Sequence, residues 1–125
     1  MTRHRETAHL DLERVFTRED FARLCFGVVP RSMEDKWFVF FESPWLYLHR
    51  SWTGICVYQV RFAQSAAGVE IADVIANRQA GEGGELDASA EAHRLLFLLE
   101  SIVRRNYRYA NVRMLSDLSG LSPKN

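Results

Sequence analysis

Six consecutive residues, His49, Arg50, Ser51, Trp52, Thr53 and Gly54, crowd an imidazole, a permanent cation, two hydroxyls and an indole into one short stretch. The chemistry that suits this set is the grip of an anion beside a flat ring. The planar fork of Arg50 matches a phosphate or carboxylate, and Ser51 and Thr53 donate to the same anion. Trp45, Trp52 or Tyr58 then offers a face on which a base or ring stacks. Arg61 on the adjoining strand, and Asn77 with Arg78 at the end of the next, add polar contacts if the strand ends converge. The candidate ligand-binding set is therefore His49, Arg50, Ser51, Trp52, Thr53, Arg61 and Arg78.

A plainer reading weighs more heavily. Thr53 and Gly54 supply turn chemistry, Trp52 packs under a helix, and His49 and Arg50 satisfy backbone carbonyls or an acid such as Glu42. Strand alternation also divides the cluster, because His49 and Ser51 point opposite to Arg50 and Trp52 unless a bulge intervenes. Other chemistries are weaker still. His4, His9, His49 and His93 are dispersed and Cys25 and Cys56 lack ligand spacing, so no metal site is expected. Cys56 or Ser51 with His49 forms no recognisable nucleophile motif, since Cys56 reads as a buried thiol on the apolar face of its strand and Ser51 sits in no elbow. The acid pairs Glu19 with Asp20 and Glu34 with Asp35 read as a helix start and a solvated loop. Gly81, Gly83 and Gly84 lack the lysine and the strand and helix frame of a phosphate loop. No cofactor is implied, and whether the chain is an enzyme stays open.

The elements that position these residues follow from periodicity. Thr17 caps an acidic first turn, and Phe21, Leu24 and Cys25 continue at helical spacing, which predicts a short helix to about Phe26 that Gly27 and Pro30 end. Residues 36–42 alternate as a strand, with Trp37, Val39 and Phe41 on one face and Phe38 and Phe40 on the other, so that both faces read as covered. After the turn Ser43 and Pro44, residues 45–52 form a second strand, and after Thr53 and Gly54, residues 55–62 form a third whose Cys56, Tyr58, Val60 and Phe62 share an apolar face. Residues 69–76 fit a helix almost as well as a strand, and the preceding turn at hairpin distance selects the strand. Asp87 or Ser89 caps a long helix from Ala88 to about Tyr107, striped by Ala92, Leu95, Leu96, Leu99, Ile102 and Val103, with Glu100 set to pair with Arg104. The expected fold is one α+β domain over residues 1–125. A four-stranded antiparallel meander packs against the long C-terminal helix and the short N-terminal one, with residues 1–10 and 119–125 as flexible or late-docked ends.

Bulk composition sets the outer bounds. A chain of 125 residues with 47% apolar and 26% charged residues has the means to bury one core and lies far from disordered composition. Eight Phe, four Tyr and three Trp are a large aromatic share, and nine of these rings fall between Trp37 and Phe62. Sixteen basic and sixteen acidic residues cancel, which argues against broad nucleic-acid or anionic-membrane binding. No leader pattern and no apolar run of about 20 residues is present, so a cytoplasmic location without membrane contact is expected.

The segment Asp35, Lys36, Trp37, Phe38, followed by Trp45, Leu46, Tyr47, the run His49 to Gly54, Tyr58 and Val60, resembles a small uncharacterised bacterial family marked by the string HRSWTG. That resemblance covers about 30 residues and is associated with short stand-alone proteins and with domains accompanying ADP-ribose or nucleotide metabolism. It implies an accessory module that binds a small anionic ligand, such as a nucleotide or ADP-ribose-like molecule. The alternative is a protein interaction module or homodimer formed through the aromatic sheet.

Overall fold

The computed structural model describes residues 7–30, 36–77 and 87–107; Arg78, the glycine-rich loop and the tail lie outside them. In chain order the elements are β1 (Thr7–His9), β2 (Val15–Phe16), α1 (Arg18–Cys25), β3 (Trp37–Glu42), β4 (Trp45–Arg50), β5 (Cys56–Ser65), β6 (Gly68–Asn77) and α2 (Ala88–Arg105). Both caps form as their side chains dictate. Thr17 Oγ1 accepts from Asp20 N at 3.0 Å, and Asp87 Oδ1 accepts from Ser89 N and Ala90 N at 3.1 and 3.2 Å.

The fold is α+β, with one antiparallel sheet of six strands rather than four, ordered β1–β6–β5–β4–β3. The strands β3 to β6 form the expected meander, and the ambiguous fourth segment is indeed a strand. The two additional strands are short and share one partner. Thr7–His9 pairs with the Ile75–Asn77 end of β6, and Val15–Phe16 with its Val69–Glu70 end. Leu10 and Phe16 are buried at this edge, so apolar anchors dock residues 7–16 against β6, the second of the two readings, flexible or late-docked, that the polar composition left open for residues 1–10.

Alternation sorts the sheet into two faces. Val39, Leu46, Leu48, Tyr58, Val60, Phe62, Val69 and Val74 point toward the helices and form the core with Phe21 and Leu24 of α1 and Leu95, Leu99 and Ile102 of α2. Phe21 meets the rings of Phe41 and Phe62 edge-on, with centroids 5.4 and 5.1 Å apart. Each such fully buried side chain contributes about 1.5–3 kcal/mol. The helices are fastened to each other at their C-terminal ends. Asn106 Nδ2 donates to Arg23 O and Gly27 O at 2.9 and 3.0 Å, and the Arg23 guanidinium lies 3.9 Å over the Tyr107 ring. Glu100 pairs with Arg14 Nη2 at 3.1 Å rather than with Arg104, because the segment before β2 brings a cation closer than the next helical turn does.

Among the described residues nothing covers the opposite face, contrary to what the sequence suggested. With both helices on the core side, Phe38, Phe40, Trp45 and Tyr47 point away from them, and Phe38 is 37% exposed. The Phe40 ring stacks on Tyr47 at 5.1 Å, and Phe38 lies 5.5 Å from Phe40. These rings shield one another along the sheet, and no second layer of described residues meets them.

Candidate functional site

The run that concentrated the chemistry is first of all a hairpin connection. Ser51–Thr53 turn between β4 and β5, with Gly54 N donating to Arg50 O at 2.8 Å and Arg50 N to Ile55 O at 2.9 Å. Thr53 Oγ1 accepts from Ile55 N at 3.1 Å, and Ser51 N donates to Lys36 O at 2.9 Å, extending the β3–β4 pairing. Gly54 holds φ at +75°, in the left-handed region, with open space where a Cβ would stand. Gly54→Ala therefore strains the backbone without a clash, and the expected loss is about 1 kcal/mol of unfolding free energy, measured by urea denaturation. A loss above about 3 kcal/mol would show that the turn is more tightly packed than this. Trp52 is 72% exposed and does not pack under α2, because the turn carries it past the end of the sheet.

His49 and Arg50 lie on opposite faces. On the core side the Arg50 guanidinium sits 5.4 Å over the Trp37 ring, which in turn stacks on Tyr58 at 6.3 Å. Among the described residues Arg50 has no acidic partner. Glu42 cannot serve, since it pairs with Trp45 at the far end of the hairpin. On the outer face the His49 ring stacks on Phe40 at 5.6 Å and lies 5.9 Å from Phe38. Its Nδ1 is buried with no hydrogen-bond partner among the described residues, and burial lowers the pKa of the imidazole.

A bulge does occur, but one strand away from Ser51. Leu48 pairs with Tyr58 and His49 with Cys56, which leaves Val57 as the extra residue of β5. Its effect is to turn Val57 into the core and to set Cys56 across from His49, off the apolar face that strict alternation assigned to it. The Cys56 Sγ donates to Tyr58 O at 3.4 Å, and desolvation raises the thiol pKa, so the group is a protonated thiol and a poor nucleophile.

The remaining candidates separate along the sheet. Asn77 Nδ2 donates to Cys56 O at 3.4 Å, which places the end of β6 beside the start of β5 and the His49 to Gly54 turn. Arg61 pairs with Trp45, at the opposite end of β4 from Arg50, roughly 17 Å away at strand rise. It points to the outer face and does not join Arg50. Arg78 lies outside the described residues.

What the sequence reading missed is a cavity of about 230 Å³ between β3 and the C-terminal half of α2, lined by Val28, Lys36, Trp37, Leu98, Ser101, Ile102 and Arg105. Among the described residues Lys36 and Arg105 are its charged ones, and no acid lines it. Trp37 is shared, because the same indole that borders the cavity carries the Arg50 guanidinium. The available signal was parity: Trp37 and Arg50 are paired neighbours on the same face of β3 and β4. A larger cavity of about 470 Å³ near the start of α2 is lined by His9, Asp11, Glu13 and His93 among others. His9 is engaged there with Asp73 at 3.0 Å and His93 with Ser89 O at 3.0 Å. Among the described residues no three His, Cys, Asp or Glu side chains gather as a metal site requires, and no helix is long and apolar enough to cross a membrane. No protein-family model matches the chain, and no curated protein or solved structure is significantly similar to it.

Proposed function

We propose that this chain is a non-catalytic accessory module that binds a small anionic ligand, of nucleotide or ADP-ribose-like chemistry. In this reading the binding centre is Trp37 rather than the turn that follows Arg50. The observation that carries the reading is the cavity beside Trp37, with Lys36 and Arg105 in its wall and, among the described residues, no lining acid and no acidic partner for the Arg50 guanidinium stacked on the same indole. Cations gathered around an aromatic face suit a phosphate next to a ring. The volume is below the roughly 300–1,000 Å³ of sites for drug-sized ligands, so it fits a phosphate or sugar phosphate portion while the rest of the ligand extends along the Arg50 side. The resemblance carried by Lys36, Trp37 and the HRSWTG string supports the same class of ligand and a bacterial setting. Cys25 and Cys56 form no disulfide with each other, which suits a reducing cytoplasm.

Thermal-shift measurements with ADP-ribose, AMP, ribose 5-phosphate and inorganic phosphate test the proposal. A ligand present at about 100 times its Kd stabilises by about 2.7 kcal/mol, a rise of several degrees. The expected result is a rise for a phosphorylated ring compound that Arg50→Ala and Lys36→Ala each reduce. A flat response to all four compounds, or a rise that both variants keep, overturns it.

A further inference from the structure

The outer face of the sheet has an order that the register makes explicit. Three rows of residues cross it: Phe38, His49 and Cys56; Phe40, Tyr47, Gln59 and Ile75; and Glu42, Trp45, Arg61 and Asp73. The first two rows are largely apolar or aromatic. The third carries charge at definite places, with Glu42 on β3 and Arg61 on β5, one strand to either side of Trp45. Among the described residues neither Glu42 nor Arg61 has an ion-pair partner, whereas Asp73 is held by His9.

We infer that this face is the interface of a homodimer, in which a second copy of the chain lies face to face on β3, β4 and β5. A two-fold axis between the two sheets, running along β4, reverses each row in the partner. Trp45 and Tyr47 then meet their own copies, and Glu42 of each chain lies over Arg61 of the other, twice by symmetry. Sheets that pack face to face keep their strands within about 30° of each other, as this axis requires. Self-complementary charge is the reason to choose a second copy. A single-stranded nucleic acid also stacks on aromatic sheets, but it needs a surplus of cations. Here Arg61 is balanced by Glu42, and the whole chain has sixteen charges of each sign. The proposal is independent of the Trp37 cavity, which opens on the other side of the sheet.

Light scattering across a dilution series tests it, with circular dichroism confirming the fold of each variant. The wild type is expected at twice the chain mass. Glu42→Arg and Arg61→Glu should each weaken association by about tenfold or more, since each sets like charges against one another. The double exchange, Glu42→Arg with Arg61→Glu, should restore the dimer, and Tyr47→Asp should give a folded monomer. A monomeric wild type at every concentration, including one that takes up an oligonucleotide instead, overturns the inference. So does a dimer indifferent to both single reversals, or a double exchange that stays monomeric.

Discussion

Gly27→Ala should cost about 4 kcal/mol or more and leave a large part of the population unfolded, given that domains of this kind are stable by only about 5–15 kcal/mol. Two effects add. Gly27 has φ of +67°, where an L residue is strained by about 1–2 kcal/mol. A Cβ at this position falls 2.0 Å from Val39 O and 2.9 Å from Val39 C, and these are backbone atoms that no rotamer change moves away. Relief requires the loop to leave β3. That breaks the reciprocal Val28 and Val39 hydrogen bonds of 2.9 Å each, and the Asn106 bond to Gly27 O that ties α1 to α2. The urea midpoint should fall far more than for Gly54→Ala, whose Cβ meets nothing within 4 Å. A loss below about 2 kcal/mol for Gly27→Ala would mean that the loop yields cheaply and that its approach to β3 is not a structural requirement.

Tyr58→Phe is the second large effect, although it removes a single oxygen. The Tyr58 ring is buried in the core, and its hydroxyl donates to the Glu91 carboxylate, itself 9% exposed on the first turn of α2. Phenylalanine keeps the stack on Trp37 and removes the donor. Glu91 then retains Arg94 at 3.8 Å and loses its buried partner. The cost of leaving a buried carboxylate so exposed to an apolar surrounding is about 2–3 kcal/mol, a fall in Tm on the order of 10 °C for a chain of this size. Tyr58→Phe combined with Glu91→Leu should recover much of it, because both polar partners are then gone.

The same pair gives a dependence on pH with a definite sign. Burial, and then the Glu91 hydrogen bond and charge, raise the Tyr58 hydroxyl well above its ordinary value of about 10. Above pH 10 the unfolded chain releases this proton while the folded chain keeps it, so the contribution of Tyr58 is complete below pH 10 and is lost as pH rises toward the folded value. The stability gap between wild type and Tyr58→Phe should therefore narrow in alkaline denaturation curves. A gap that stays constant from pH 8 to pH 11 would contradict the buried Tyr58–Glu91 bond.

What was readable in advance rested on local chemistry. Thr17 and Asp87 carry the oxygen that an N-cap needs, the spacing of Leu95, Leu99 and Ile102 makes one helical stripe, and alternation around Leu46, Leu48, Val60 and Val74 writes the core face of the sheet. The Thr53 and Gly54 turn was legible for the same reason, since its conformational demand lies in its own residues. The two short N-terminal strands were not, because Thr7–His9 is polar and its order comes from the free edge of β6.

The candidate site divides along the same line. Alternation alone placed His49 and Arg50 on opposite faces of β4, and the structure keeps them apart. Only tertiary structure decided the rest. The bulge at Val57 depends on how two strands share their hydrogen bonds, so the placement of Cys56 opposite His49 cannot be read from β5 by itself. The Trp37 cavity exists because α2 crosses behind β3 at Ser101 and Arg105, far away in sequence. The sequence by itself determined which residues share a face of each helix and strand. Where the helices lie decided which aromatic row became interior and which remained a surface, because a period of two specifies two faces but not the layer that covers either of them.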